Sequence, residues 1–153
     1  MPDLDTNSYM KIAMEEAHAA AARDEVPIGA VLVDSLSGKI VARNGNRTIE
    51  LSDPTAHAEI LVIREACKKI GKQRIPDYDL YVTLEPCTQC AAVIAFARIR
   101  KLTFAAADKK GGAVINGVKF FEQPTCHHKI EIAESIMAEE SATLLKSYFK
   151  SKR

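Results

Sequence analysis

His57-Ala58-Glu59, followed about thirty residues later by Pro86-Cys87-Thr88-Gln89-Cys90, constrains this chain more than any other feature. An imidazole and two thiols are donor types that hold a zinc ion, and they can do so only if the fold brings the two segments together. One histidine and two cysteines supply three ligands and leave a fourth position for water. A carboxylate, Glu59, stands two residues from the histidine. Three protein ligands, an open position and an adjacent base describe a catalytic zinc centre rather than a closed structural one.

Each group has a physical reason to be where it is. Zinc lowers the pKa of a bound water to about 7, so that a nucleophile exists at neutral pH. Pro86 suits the first turn of a helix, where its missing N–H costs nothing. The positive pole at that helix start lowers thiol pKa values and favours metal binding by Cys87 and Cys90. Their i, i+3 spacing puts both sulfurs on one side of the turn. On an ideal helix His57 and Glu59 would be roughly 200° apart, so both cannot be ligands in a simple helical turn. Glu59 therefore reads as the base that reaches the water. Asp53 and Thr55 are candidate N-caps, which would place His57 in the first turn of its helix.

Other readings of the same residues exist. A Cys-x-x-Cys between a strand-like and a helix-like segment can be a redox motif, but the upstream histidine favours metal. A closed zinc site would need a fourth ligand from Cys67, Cys126, His127 or His128. Cys67 lies in an apolar helical stretch and reads as a core thiol. The Cys126-His127-His128 side chains diverge, and no second ligand pair accompanies them.

The chain of 153 residues is expected to form one domain, 1–153, with a full core. A net charge of +1 excludes a global basic field, so any nucleic-acid surface must be local. Four cysteines, two of them assigned to metal, do not suggest a disulfide framework. The N-terminal stretch lacks a signal-peptide apolar segment, and no run is long enough to cross a bilayer. These features fit a reducing cytoplasm and no membrane.

Met10, Ala13, Met14 and Ala17 recur at helical spacing and predict an amphipathic helix ending near Arg23. Segments 28–34 and 39–44 read as a hairpin. A helix over 57–70 stops at Gly71. A strand over 80–84, a helix over 87–98 and a strand over 102–107 follow. Segment 108–128 is a long glycine-rich and polar excursion of the kind that carries function. A last strand over 130–133 precedes a helix whose buried stripe would be Met137, Leu144, Leu145 and Tyr148. Strands interleaved with helices imply an α/β fold, a three-layer α/β/α sandwich around one mixed sheet.

The two motifs together resemble the zinc-dependent cytidine deaminase superfamily, in which such a signature serves zinc-assisted base deamination. Within it the chain is similar to the bacterial tRNA-specific adenosine deaminases, the TadA family, over almost its whole length. The likeness lies in Glu25-Val26-Pro27-Ile28-Gly29-Ala30-Val31-Leu32-Val33, Gly45-Asn46-Arg47, Asp53-Pro54-Thr55-Ala56-His57-Ala58-Glu59 and Leu80-Tyr81-Val82-Thr83-Leu84-Glu85-Pro86-Cys87. The resemblance implies a five-stranded, cytidine deaminase-like sheet with one Zn2+ per subunit held between two helix starts. It also implies hydrolytic deamination of adenosine to inosine at the wobble position of a tRNA anticodon stem-loop, with Glu59 catalytic, by a homodimer.

By the same resemblance, Asn46 would hydrogen-bond the target base, Ile28 would form an apolar wall, and Ala58 would line the site. Asp108 and Lys110 would lie in the loop that meets RNA, and Phe149 and Arg153 would add an aromatic ring and charge from the last helix. Asn46 can also be read as a turn residue after Asn44-Gly45, and terminal charge also suits a helix C-terminus. The segment Gln123-Pro124-Thr125-Cys126-His127 departs from the family pattern. A deaminase of free guanine or cytosine on the same fold is the nearest alternative, and a non-catalytic zinc and RNA module a more distant one. A homodimer draws some support from Ala91, Ala92, Val93, Ile94, Ala95 and Phe96, since a helix apolar all round must be buried on several sides.

Overall fold

Alternation along the strands builds two cores, one on each face of a sheet. Ala30, Leu32, Leu80, Val82, Leu102 and Phe104 lie in one apolar cluster, while Val31, Val33, Tyr81 and Ala105 lie in the other. This is the period-2 geometry of strands buried on both faces. A computed structural model describes residues 6–134 and 137–153. The elements are α1 (Thr6–Ala22), β1 (Gly29–Asp34), β2 (Ile40–Gly45), α2 (Ala58–Ile70), β3 (Tyr78–Leu84), α3 (Thr88–Phe96), β4 (Lys101–Ala106), β5 (Glu131–Glu134) and α4 (Ala138–Ser151), with a short 3-10 turn at Phe120–Glu122.

The five strands run in the order β2-β1-β3-β4-β5. β1 pairs antiparallel with β2 and β3, whereas β3–β4 and β4–β5 are parallel, so the sheet is mixed. Helices α1 and α4 cover one face and α2 and α3 the other, giving the expected three layers. Full burial of Phe104, Leu80 and Leu102 contributes about 2 kcal/mol for each side chain. α1 buries Met10, Ala13, Met14 and Ala17, as their spacing predicts. It lies unusually close to the sheet at Gly29, where an added Cβ would come within 2.6 Å of Ala17 N. Only a residue without a side chain fits that approach. The β5 edge carries Glu131 and Glu134, and Lys101 bridges to Glu131 at 3.2 Å. Charge on an outer strand discourages pairing with another sheet.

Three local expectations need correction. His57 is the N-cap of α2, with extended backbone, rather than a residue of its first turn. Asp53 and Thr55 instead close a turn upstream, with Thr55 N–H and Oγ1–H donating to Asp53 Oδ1 at 2.8 and 2.7 Å. Pro86 likewise lies outside α3, because Cys87 is the N-cap. The Pro86 carbonyl is used in tertiary packing, accepting the Ala113 N–H at 2.9 Å. In α4 the buried positions are Ser141 and Leu145, whereas Leu144 and Tyr148 are only half-buried. Ser141 is held there by a hydrogen bond to the Thr83 carbonyl at 2.6 Å.

Candidate metal centre and active site

Both cysteines and the histidine sit at helix starts on the same face of the sheet. α2 begins after His57, and the chain leaving β3 through Glu85 and Pro86 makes Cys87 the N-cap of α3. Neither N-cap side chain caps its own helix, which leaves imidazole and thiol free to converge. His57 Nδ1 faces Cys87 Sγ at 3.6 Å and Cys90 Sγ at 3.5 Å. Two donors on a tetrahedral zinc, with Zn–N near 2.0 Å and Zn–S near 2.3 Å, would be about 3.6 Å apart. The donor chemistry and spacing fit that ion. Among the described residues, this trio is the one group placed to hold a metal.

The electrostatics divide the two thiols: the lowering expected of both at the helix start is found at Cys87 and not at Cys90. The neighbouring Cys90 thiol, against the opposing effect of burial and with help from His57, lowers the Cys87 pKa to about 4. Cys90 is raised, first by its interaction with Cys87 and then by burial. The pair thus holds one proton in the absence of metal, and metal binding by two thiolates must displace it. His57 is raised, chiefly by its contact with Cys87. Glu59 is 4% exposed, and its burial lifts its pKa to about 7. A group poised there can both accept and return a proton near neutral pH.

A cavity of about 170 Å³ opens on this cluster. Ile28 and Leu84 form its apolar side, His57, Glu59 and Cys87 its reactive side, and Asp108 and Gly111 its lip. Asn46 lies buried beside it. Its Oδ1 accepts the Ala58 N–H at 2.8 Å, so Asn46 supplies the cap that His57 does not. Its own backbone is pinned by Arg23 Nη2 donating to the Asn46 carbonyl at 3.1 Å and by Asn46 N–H donating to the Ile28 carbonyl at 3.1 Å. Because a backbone N–H demands an acceptor, the amide orientation follows, and Asn46 Nδ2 remains a donor for another group.

Lys110, Phe149 and Arg153 do not line that cavity. Asp108 and Leu84 are shared with an adjoining hollow of about 370 Å³ that includes Lys110, Lys146 and Phe149. Beyond it a groove of about 850 Å³ carries Lys110, Lys146, Lys150, Lys152 and Arg153 around Phe149. Of the expected positions, Ile28, His57, Glu59, Cys87 and Asp108 line the base-sized pocket and Lys110, Phe149 and Arg153 the basic, aromatic groove leading from it, whereas the buried Asn46 and Ala58 are not among the side chains lining either. Lys152 is engaged within the chain, donating to Asp24 Oδ1 at 2.5 Å.

Two buried carboxylates near the site went unread in the sequence. Glu25 accepts the N–H groups of Ile49 at 3.2 Å and Glu50 at 2.8 Å, fixing the turn after Asn46. Glu85 accepts amides from Asp108 to Asn116. Burial pushes Glu85 upward, but those amide donors outweigh it and hold the carboxyl below its ordinary value. The available signal was a single acidic residue closing an apolar strand just before a metal ligand. Two of the rival fourth ligands are engaged elsewhere: Cys126 donates to the His128 carbonyl at 3.4 Å, and His128 Nε2 meets the Ile99 carbonyl at 2.6 Å.

Comparison with known proteins agrees with this geometry. The family model of MafB19-like deaminases matches residues 4–153. The tRNA-specific adenosine deaminase of Agrobacterium fabrum is 59% identical over 145 residues, spanning 95% of this chain and 94% of its own. A solved structure from a study of A-to-I editing by tRNA:A34 deaminases has a TM-score of 0.87 at 59% identity, covering 90% of this chain and 99% of that one. A guanine deaminase from Bacillus subtilis is more distant, with 28% identity and a TM-score of 0.68 over 96% of this chain and 95% of that one. A match along nearly the whole chain, at this identity and around this donor set, means that the chain belongs to the MafB19-like deaminase family, among the tRNA-specific adenosine deaminases of the cytidine deaminase superfamily.

Proposed function

We propose that this chain is a zinc-dependent hydrolase that converts adenosine to inosine at the wobble position of a tRNA anticodon. The observation that carries the reading is a three-donor centre beside a buried, proton-exchanging Glu59, in a pocket continuous with a basic groove. When bound, zinc supplies Lewis acidity that brings a water's pKa to about 7. Glu59 accepts a proton from the attacking water and delivers it to the ring nitrogen next to the amino-bearing carbon. It then helps protonate the departing amino group, so that water and adenosine give inosine and ammonia. Ile28 packs on the flat base, and Asn46 Nδ2 donates to it.

A base-sized pocket needs its nucleotide unstacked, and a loop nucleotide is extruded at lower cost than one in a duplex. Lys110, Phe149 and Arg153 then serve the flanking RNA, with phosphate contacts from the cations and stacking on the ring. Asp108, at the lip, contacts the same flank. Residues 1–153 act as one deaminase domain carrying one zinc. The four free cysteines suit a reducing cytoplasm, and among the described residues no helix is long and apolar enough to cross a membrane. We further infer a homodimer: Phe96 is 68% exposed at the end of an apolar α3 and needs a cover.

A free-base reading draws on the fold shared with guanine deaminase. The groove beyond the pocket favours the polymer substrate, because a free base would not reach it. An inosine assay on an anticodon stem-loop, run beside free guanine, cytosine and adenosine, decides between them. Inosine in the loop is the expected result; deamination of a free base with the loop untouched would overturn the substrate and leave the zinc chemistry standing.

A further inference from the structure

We propose that Glu85 is a positioning residue whose carboxylate sets loop 108–116 against the metal-binding end of β3, and so places Asp108 and Gly111 at the mouth of the pocket. The inference rests on that pocket being the substrate site. Glu85 is 2% exposed. Its Oε1 accepts the Asp108 N–H at 2.9 Å and Asn116 Nδ2–H at 2.7 Å. Its Oε2 accepts the N–H groups of Val114, Ile115 and Asn116 at 3.0, 2.9 and 3.0 Å. Next along the chain, the Pro86 carbonyl accepts the Ala113 N–H at 2.9 Å. The loop is therefore tied at both its ends to the two residues that lead into Cys87.

The contact is close as well as polar. A Cβ added to Gly112 would lie 2.6 Å from Glu85 Oε1 and 2.5 Å from the Asp108 carbonyl, so the loop backbone rests on the carboxylate with no room for a side chain. A carboxylate satisfied by amide donors in this way fits one loop conformation, because each donor that swings away leaves an oxygen of the buried carboxylate short of a partner. Asp108 and Gly111 form the cavity lip together with Glu85 itself, and Lys110 lies between them on the groove side. One side chain thus registers a metal ligand, a pocket wall and an RNA-facing loop.

Glu85→Gln tests this. A carboxamide has one acceptor oxygen; if that stays with Val114–Asn116, its NH2 group meets the Asp108 N–H, which cannot turn away. Asn116 can turn its own amide over, so the loss falls on Asp108. The expected variant keeps one zinc per chain and normal amide-exchange protection in β3 and β4. Exchange in residues 108–113 quickens, and KM for an anticodon stem-loop rises, each by about tenfold or more. Lys110→Ala should raise KM in the wild-type background and add nothing in the Glu85→Gln background, since its position is already lost.

Unchanged loop exchange, or additive effects of the two substitutions, would each overturn the positioning role. Should Glu85→Gln not fold, Gly112→Ala lifts the loop while leaving the carboxylate intact. Faster loop exchange with zinc and sheet protection retained supports the proposal, and unchanged loop exchange refutes it. The exchange readout needs no substrate. Wild-type protein inert on the stem-loop would therefore count against the proposed function without deciding the role of Glu85.

Discussion

Glu59 is buried at the same helix start that orients His57, and its chemistry follows from that cost. Water would hold a carboxylate ionised well below neutrality, but burial lifts Glu59 to about 7. In the proposed role as base it would work deprotonated, so activity should be present above its pKa and lost as pH falls through it. The acid limb of kcat/KM should accordingly lie well above the ordinary carboxylate range, and pH-rate profiles on a stem-loop will show it. Glu59→Gln should bind zinc and RNA normally while turnover drops by at least ~10²-fold, and the acid limb should vanish from what remains. Cys87→Ala makes the contrasting case, losing metal and thermal stability together because a metal held there would tie the start of α3 to that of α2. Near-normal turnover in the glutamine variant would mean that another group moves the protons.

The start of α2 combines two tasks that substitutions can separate. Asn46 caps the helix through Oδ1, and the proposed reading gives its Nδ2 to the base. Asn46→Ala removes both and should cost about 1 kcal/mol of stability along with activity. Asn46→Asp keeps an oxygen for the Ala58 N–H and adds a negative charge at the helix's positive end, so melting temperature should hold while turnover of adenosine falls. Equal loss of turnover and melting temperature in both variants would reduce Asn46 to a cap. This division was not legible in the sequence. The alternation of Val31 and Val33 with Ala30 and Leu32, or the helical spacing of Met10, Ala13, Met14 and Ala17, is local and can be read directly. The zinc trio was legible because donor type and spacing are both restrictive. Asn46 and Ala58 are twelve residues apart, and Glu85 meets amides from Asp108 onward, through contacts that no period encodes. The same limit explains His57 and Pro86: capping signals lay close together, and tertiary packing chose where each helix began.

At the scale of the molecule, apolar and basic surfaces lie in different places and predict different partners. Phe96 at the end of α3 is one of several exposed apolar side chains and lies outside the basic groove. Light scattering should show a dimer at micromolar concentration, and Phe96→Asp should shift it toward monomer; a wild-type monomer would reject the homodimer. The basic surface is local despite a net charge of +1. Lys110, Lys146, Lys150 and Arg153 gather in the groove that continues from the catalytic pocket, while Lys152 is paired with Asp24. If the first four meet phosphates of a single-stranded loop, log K should fall with log salt at a slope of about −3. Neutralising Lys110 or Arg153 should make that slope shallower by about 0.7, because one fewer counterion is released. Lys152→Ala should change it less, since that charge is already balanced within the chain. Asn46→Asp should leave the slope nearly unchanged while damaging turnover if, as proposed, Asn46 meets the base and not the backbone. Binding titrations of a labelled stem-loop across a salt series measure all four variants. A slope near zero, or equal changes for Lys110 and Asn46, would detach the groove from RNA, whereas the expected ordering would connect it to the pocket through Asp108.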